Sequence, residues 1–276
     1  MLAQNSISVS STINSATILQ KAIELAAKLN LPYTSSIEHR SSEFILAYTS
    51  QGLQLLHMPL ESRKSTCLLF VDFVHGKNGF RLAQNCTIKQ PIARAAGVKS
   101  GVRPTILDGT AGLGSDAFVL ASLDCRVTMC ERSPIVGALL EDGLLRAAKE
   151  EKTAGIVERI SLVLEDTREF LQNSKQTFHT IYLDPMYPHQ NQTALNKLTL
   201  RVIRSLVGGD PDGPALLEIA REKADNRVVV KRPSKAPLLS EVQPSHAILM
   251  KNSRFDIYLT FKSNEPMFTY DIVPQP

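Results

Sequence analysis

The second part of the chain alternates short apolar runs with stretches in which apolar residues recur at helical spacing. Each short run is bounded by polar or turn-forming residues and predicts a strand. The predicted strands span residues 104–108, 126–131, 160–165, 180–184, 227–231, 246–250 and 254–261. The predicted helices span residues 115–123, 133 to about 151, a short segment after Thr167, 193–206 and 214–223. Strands that alternate with helices indicate an α/β fold with a doubly wound parallel sheet.

The last two predicted strands are separated only by Lys251, Asn252 and Ser253. A parallel crossover needs about a dozen residues or more, so this short connection requires an antiparallel pair. The sheet is therefore predicted to end in a C-terminal antiparallel hairpin.

The first part of the chain shows a different pattern, in which one helix precedes a group of short strands. Residues 17–29 have apolar positions at helical spacing, and Pro32 follows them as a stop signal. The first fifteen residues are predicted to be loose, and a small sheet is predicted at residues 43–49, 52–58 and 66–74. The pattern predicts an α+β module over residues 1–100 and a second domain over residues 101–276.

Charge is distributed unevenly between these two parts. Of 31 basic and 27 acidic residues, 9 basic and 5 acidic ones lie within residues 1–95, and the remainder holds 22 of each sign. The net charge of +4 therefore lies within residues 1–95, in the N-terminal part. Such an excess suits a polyanionic partner, because phosphates attract basic side chains regardless of sequence. An ordinary solvated surface explains the same excess.

The sequence also predicts a cellular location and the absence of a metal centre. No apolar run approaches the roughly eighteen residues of a membrane-spanning helix, and the N-terminus lacks the pattern of a signal peptide. We therefore expect a cytoplasmic protein with no membrane partner. The four cysteines, Cys67, Cys86, Cys125 and Cys130, show no C-x-x-C spacing, which argues against a zinc site and a disulfide framework. Nothing in the sequence determines the oligomeric state.

The densest chemical signal is the segment from Asp108 to Asp116, DGTAGLGSD, which connects the first strand of the α/β part to a helix. Gly112 and Gly114 lack a Cβ atom, so a ligand can lie against the backbone, and the start of the helix presents N–H groups to it. The spacing of Gly112, Gly114 and Ala117 also matches the dinucleotide-binding pattern. The segment predicts a nucleotide-type ligand.

Asp116 and Glu131 select among such ligands. Asp116 lies in the first helical turn, where a carboxylate repels phosphate and attracts cations. S-adenosylmethionine (SAM) has no phosphate and carries a sulfonium and an ammonium, so this acid favours SAM over a dinucleotide. Asp108 can face the ammonium, and Glu131, at the end of the next strand, can accept hydrogen bonds from the ribose hydroxyls. Alternatively, Asp116 is only a favourable first-turn acid and Glu131 a solvated strand end.

Acidic residues also follow the next two strands. Asp166 and Thr167 come after the third strand, where they would meet the adenine, and Asp184 follows the fourth. Ligands of open parallel sheets bind outside the carboxyl ends of the strands, so these acids are predicted to converge with those of the first two strands on one crevice. Arg132 is predicted to lie against the adenine or the ribose, or is a plain surface residue.

The tetrapeptide Asp184-Pro185-Met186-Tyr187 suggests a reaction. The exocyclic amine of a nucleobase is a poor nucleophile because its lone pair is delocalised into the ring. The Asp184 carboxylate and the Pro185 carbonyl could accept hydrogen bonds from the amine, while Tyr187 could stack on the base. Methyl transfer would then proceed directly, with no metal and no covalent enzyme intermediate.

These motifs together resemble those of the ribosomal RNA small subunit methyltransferase J family. The resemblance runs from about Val71 to Tyr258 and is carried by residues 71–73, 108–144, 182–189, 228–233 and 254–258. It implies a class I SAM-dependent methyltransferase fold, with SAM as the cofactor. The implied substrate is the N2 amine of a guanosine in small-subunit ribosomal RNA, either free or within the small ribosomal subunit. The implied cofactor site comprises Ser115, Asp116, Glu131, Arg132, Asp166, Thr167 and Asp184.

Three positions depart from the pattern of this family. Ser115 stands where many members have Arg, Asp166-Thr167 replaces a pair of small hydroxyl residues, and Tyr187 replaces Phe. Contacts with the cofactor are expected to differ in detail at the first two positions, whereas Tyr187 keeps the stacking plane.

Basic residues outside the motif core provide candidate RNA contacts. Lys231 and Arg232 leave the fifth strand at the edge where the crevice is predicted, and Arg254 begins the last strand. We expect these residues to bind RNA phosphates, with His189 near the target base. A structural role fits each of them equally well.

Other functions fit parts of the sequence. One is the same chemistry on another amine, such as a DNA adenine or a protein glutamine. A nicotinamide-dependent oxidoreductase would use the glycine segment for a dinucleotide, against the argument from Asp116. A third is a non-catalytic RNA-binding protein that retains an inactive cofactor pocket.

Overall fold

The computed structural model describes residues 7–37, 42–75, 87–185, 202 and 212–260, and these residues form two sheets with their helices. The elements of the N-terminal part are β1 (Ile7–Ser11), α1 (Ala16–Leu29), β2 (Phe44–Thr49), β3 (Gly52–His57), β4 (Thr66–Phe70) and α2 (Pro91–Ala96). They are followed by β5 (Thr105–Asp108), α3 (Ser115–Ser122), β6 (Arg126–Cys130), α4 (Pro134–Ala147), α5 (Glu151–Val157) and β7 (Ile160–Val163). The last elements are α6 (Thr167–Asn173), β8 (Phe178–Leu183), α7 (Gly213–Lys223), β9 (Ala224–Pro233), β10 (His246–Leu249) and β11 (Ser253–Leu259).

The larger sheet has seven strands in the order β10-β11-β9-β8-β5-β6-β7. Strands β5 to β9 run parallel, and β11 pairs antiparallel with both β9 and β10. The parallel sheet and the C-terminal hairpin predicted from the sequence are therefore confirmed. The central strands are buried on both faces, as in the Val228-Val229-Val230 run of β9, which is why they read as continuous apolar segments.

The smaller sheet has the order β1-β2-β3-β4 and contains a strand that the sequence pattern missed. The prediction that the first fifteen residues are loose is wrong for Ile7–Ser11, which form β1 and pair parallel with β2. Ile7 and Val9 enter the core, and the Ser10 hydroxyl donates to the Thr34 carbonyl at 2.9 Å. Ser8 and Ser10 are buried because β1 pairs with β2. In the sequence these polar residues are typical of a loop, although the segment forms a strand.

One helical prediction also changes. The helix expected from residue 133 to about 151 ends at Ala147 as α4, and a separate helix, α5, begins at Glu151. The Thr153 hydroxyl donates to the Ala147 carbonyl at 2.6 Å and so satisfies the end of α4. The short helix α2 was not predicted. The helix predicted at residues 193–206 lies almost wholly outside the described residues.

Helix α4 joins the smaller sheet to the larger one. The Asp142 carboxylate accepts hydrogen bonds from the Leu53 amide at 3.0 Å and from Arg146 at 2.8 Å. Arg146 also donates to the carbonyl of Val71 and covers the ring of Phe70. Apolar residues of both parts form one continuous core. The division at residue 100 stays a prediction about domains, since the two parts share this core.

Gly143 allows α4 to pack closely against Val71, and a substitution at this position tests that packing. A methyl group at Gly143 would overlap the side chain of Val71. We expect Gly143→Ala to lower the free energy of unfolding by about 1–3 kcal/mol because the core must shift to admit the methyl group. The measurement is urea-induced unfolding of the full chain.

Gly155 in α5 provides the matched control. It is exposed, and no described residue would lie within 4 Å of a Cβ there. Gly155→Ala should raise the free energy of unfolding by about 0.5–1 kcal/mol through helix propensity alone. Equal effects of the two substitutions would contradict the packing role of Gly143.

Candidate active site

The glycine turn between β5 and α3 is held by side chains that accept from its backbone. Asp108 accepts from the Thr110 amide at 3.2 Å, and Glu131 accepts from the Gly112 amide at 3.0 Å. Gly112 has a φ of 54°, and among the described residues a Cβ there would meet only the Thr110 carbonyl at 3.8 Å. This side of the turn is therefore open for a ligand to approach the backbone.

Gly114 has a different role from the one predicted. Its φ of 73° also favours glycine, but a Cβ there would lie 2.9 Å from Leu140, 3.0 Å from Phe73 and 3.2 Å from Met129. The space that Gly114 leaves is therefore filled by core side chains and does not admit a ligand. The prediction that this glycine lets a ligand lie against the chain is corrected accordingly.

Glu131 is nearly inaccessible to solvent, at 4% relative exposure, and connects the glycine turn to α4. One carboxylate oxygen accepts from Gly112, as described, and the other accepts from the Ser133 amide at 2.7 Å. Ser133 in turn caps α4 by accepting from the Val136 amide. The alternative that Glu131 is a solvated strand end is wrong. Its predicted bonds to a ribose stay a prediction.

Asp108 is buried beneath the turn. Desolvation raises the pKa of its carboxyl to about 8, against the opposing effect of the hydrogen bond from Thr110. The group therefore holds its proton at neutral pH. Its predicted contact with the ammonium group of a cofactor stays a prediction, whereas its bond to the Thr110 amide shows that it shapes the turn.

Asp166 caps α6 and belongs to a cluster of four charged residues. Its carboxylate accepts from Arg168 at 3.1 Å and lies 3.8 Å from Arg132, while Asp212 lies 3.0 Å from Arg168 and 3.3 Å from Arg132. Although partial burial acts to raise it, the pKa of Asp166 is held below its ordinary value by the bonds from Arg168. The neighbouring Thr167 donates to the Gly109 carbonyl at 2.7 Å.

A second charged cluster joins the start of α3 to the ends of β8 and β9. Asp116 accepts from the Tyr182 hydroxyl at 2.7 Å and from the Lys231 ammonium at 2.7 Å. Lys231 also donates to Asp184 at 2.9 Å, and the Asp184 amide donates to the Thr110 hydroxyl at 2.6 Å. Although burial opposes it, the carboxylates of Asp184 and Asp116 raise the pKa of Lys231.

The basic residues expected to bind RNA phosphates are engaged within the protein. Lys231 pairs with the two carboxylates just described, Arg232 is buried and donates to the Pro237 carbonyl, and Arg254 pairs with Asp256 at 2.8 Å. Arg254 also donates to carbonyls of the segment after β9. Burial of Arg232 contradicts its predicted phosphate contact, whereas the phosphate contacts of Lys231 and Arg254 stay predictions beside the ion pairs that these residues form. The sequence placed Lys231 at the predicted edge of the crevice but did not identify the two carboxylates that it bridges.

Most of the predicted residues converge at the carboxyl edge of the larger sheet. One crevice there is lined by Gly109, Thr110, Cys130, Glu131, Arg132, Asp166, Thr167, Arg168, Pro185, Asp212, Gly213 and Leu216. Ser115 and Asp116 lie at the start of α3, and Asp184 directly precedes Pro185. The sequence did not identify Thr110, Arg168 or Asp212. Met186, Tyr187 and His189 lie outside the described residues.

The protonated state of Asp108 should affect stability as the pH changes. An unfolded aspartate loses its proton near pH 3.8, whereas the folded one keeps it to about pH 8. Over this range the folded chain binds more protons, so this group lowers the free energy of unfolding as the pH rises. We expect Asp108→Asn to weaken the dependence, as measured by urea unfolding between pH 5 and pH 8. The exposed Glu222→Gln is the control, and a parallel pH dependence of wild type and Asp108→Asn would contradict the buried proton.

Two further structural features concern metals and membranes. Among the residues that the structure describes, no three His, Cys, Asp or Glu side chains are grouped so as to hold a metal ion. Across the same residues, no helix combines the length and apolar character that crossing a membrane requires.

Comparison with known proteins assigns the family. A family model described as SAM-dependent methyltransferase matches residues 24–260. Ribosomal RNA small subunit methyltransferase J of Desulfotalea psychrophila is 48% identical, over 94% of this chain and 99% of that protein. The protein of the same name from Pseudomonas fluorescens (strain Pf0-1) is 47% identical, over 86% of this chain and 89% of that protein.

A solved structure agrees with this assignment. The crystal structure of a SAM-dependent methyltransferase from Neisseria gonorrhoeae superimposes with a TM-score of 0.67 at 27% identity, over 94% of this chain and 98% of that chain. The class I methyltransferase fold and the SAM cofactor expected from the sequence are confirmed, and the nicotinamide-dependent alternative is set aside. The chain belongs to the family of SAM-dependent methyltransferases whose curated members carry the name ribosomal RNA small subunit methyltransferase J.

Proposed function

We propose that this chain transfers a methyl group from SAM to the exocyclic N2 amine of a guanosine in small-subunit ribosomal RNA. The names of its relatives support an RNA of the small subunit as the substrate. The position of Asp184 and Pro185 carries the reaction type. Pro185 lines the crevice, and Lys231 bridges the carboxylates of Asp184 and Asp116. Action on ribosomal RNA would place the protein in the cytoplasm.

The residues of the crevice fit SAM. Gly112 leaves the backbone of the turn open, and the Glu131 carboxylate lies beside it, bonded to its amide. Arg132, Asp166 and Thr167 line the neighbouring part of the crevice, where the adenosine would lie. Bound SAM supplies an electrophilic methyl group on a positively charged sulfur. An edge of the sheet rich in carboxylates favours such a cation over a phosphate-bearing ligand.

Asp184 and Pro185 would orient the amine. The Asp184 side chain is 41% exposed and can be reached by a substrate, while the hydrogen bond from its amide to Thr110 fixes its backbone. Its carboxylate would accept from one N–H of the amine and the Pro185 carbonyl from the other, which localises the lone pair on nitrogen. A neutral amine needs no prior deprotonation, so the surplus proton can leave to water afterwards. Stacking of the base on Tyr187 stays a prediction.

The N-terminal part and the segment before β5 would contribute to RNA docking. Over residues 87–107 the chain has four basic residues, Lys89, Arg94, Lys99 and Arg103, and no acidic one. All four are exposed. Exposed cations with no competing acids nearby in sequence suit contacts with phosphates, which position an RNA without reading its sequence.

Substitution of Asp184 tests the reaction. Asp184→Asn keeps the shape of the side chain but replaces an accepting oxygen with an amide nitrogen, so turnover should fall by about a hundredfold or more. The assay is transfer of labelled methyl from SAM to small-subunit ribosomal RNA, with SAM binding measured separately by calorimetry. The exposed Asp225→Asn, at the opposite end of the parallel strands, is the control.

Three results would contradict the proposal. Unchanged turnover in Asp184→Asn would remove the proposed role of the carboxylate. Labelling of DNA adenine or of protein glutamine, with none in RNA, would overturn the substrate. Mass spectrometry of the product nucleosides should show N2-methylguanosine, and a different methylated nucleoside would overturn the target atom.

Glu131 should act mainly on cofactor binding. Glu131→Ala removes the carboxylate that holds the Gly112 amide and that would bond the ribose, so SAM binding should weaken by about 1.5–3 kcal/mol. Calorimetric titration with SAM measures this change, and the exposed Glu158→Ala is the control. Binding of SAM to Glu131→Ala with wild-type affinity would contradict the role of this residue.

A further inference from the structure

Lys231 is the cation at the centre of the cluster that contains Asp184. It bridges two carboxylates from different elements, Asp116 on α3 and Asp184 after β8, at 2.7 and 2.9 Å. Tyr182 donates to the same oxygen of Asp116, and Asp108 lies close enough to interact electrostatically with all three charged groups. The Lys231 side chain is only 30% exposed.

Lys231 neutralises part of the negative charge of this cluster. Asp108 holds its proton at neutral pH, because burial raises its pKa to about 8. Among the described residues of the cluster, Asp116 and Asp184 each carry one negative charge and Lys231 carries one positive charge, so these three residues sum to a single negative charge. The sulfonium of SAM carries one positive charge, whereas the sulfur of the product, S-adenosylhomocysteine, carries none. Without the charge of Lys231, the same described residues would hold one more negative charge beside the cofactor crevice.

We propose that Lys231 is a positioning residue that holds Asp184 toward the substrate amine and sets the charge of the cluster against the sulfonium. The inference rests on the proposed methyl transfer at Asp184. During transfer the positive charge passes from sulfur to the amine nitrogen, so negative charge in excess of that which holds the amine would stabilise the bound donor without lowering the barrier. Loss of the bridge would also strengthen the repulsion between Asp116 and Asp184 and remove one of the contacts that orient the Asp184 carboxylate.

Binding of both SAM and S-adenosylhomocysteine gives a readout that a structural role would not change. Lys231→Met keeps most of the length and removes the charge, and Lys231→Gln removes the charge while keeping a hydrogen-bond donor. In both variants the affinity for SAM relative to S-adenosylhomocysteine should rise by about three- to tenfold, because one more negative charge faces the sulfonium. Turnover on RNA should fall by about a hundredfold.

Two further variants complete the experiment. Lys231→Arg keeps the charge and should return the affinity ratio to within about twofold of wild type, with turnover between those of wild type and Lys231→Met. Lys152→Met, the same change at an exposed lysine of α5, should leave the affinity ratio and turnover unchanged. Calorimetry at pH 7 on the full chain measures the two affinities, and thermal unfolding confirms that each variant is folded. If Lys231→Met is unfolded, Lys231→Gln decides the result.

Two outcomes would overturn the proposal. One is a wild-type affinity ratio in the folded charge-removing variants. The other is a rise in KM for RNA with kcat unchanged, which would identify Lys231 as a phosphate contact. Absence of RNA methylation by the wild-type chain would instead contradict the proposed function, while the affinity ratio would still test the charge of Lys231.

Discussion

The constraint on which this structure depends is the gathering of acidic side chains at one edge of a parallel sheet. Strands β5, β6, β7 and β8 run in the same direction, so the acids that follow or end them gather at the same edge of the sheet. Each acid is stabilised differently. Backbone amides hold Glu131, arginines hold Asp166, Lys231 holds Asp184, and Asp108 keeps its proton. The edge can therefore remain attractive to a cation without the mutual repulsion of four unpaired carboxylates.

The N-terminal part also supports this edge of the larger sheet. Phe73 stacks on Phe118 of α3 with ring centroids 4.5 Å apart, and it fills the space that Gly114 leaves at the start of that helix. The glycine turn therefore lies between the Glu131 carboxylate on one side and Phe73, from the N-terminal part, on the other. Because the apolar core is continuous across both parts, the N-terminal part supports the position of the turn.

The two charged clusters have different roles in the proposed reaction. Arg132, Asp166, Arg168 and Asp212 surround the part of the crevice where an adenosine would lie. Lys231, Asp116 and Asp184 occupy the side where the amine would meet the methyl group. The Thr110 hydroxyl connects the glycine turn to the Asp184 backbone, so binding of the cofactor and orientation of the amine depend on one short segment.

The sequence by itself determined the strands of the α/β part, most of its described helices, the antiparallel hairpin and the acids at the strand ends, because these follow from local periodicity and chain direction. It also identified the family through the segment around Asp108 and the tetrapeptide at Asp184. Only the tertiary structure decided which partners neutralise those acids. Lys231 and Asp212 lie far along the chain from Asp116 and Arg132, and Ile7–Ser11 becomes a strand only through pairing with β2. Such contacts depend on packing between distant segments, which no local pattern of residues records.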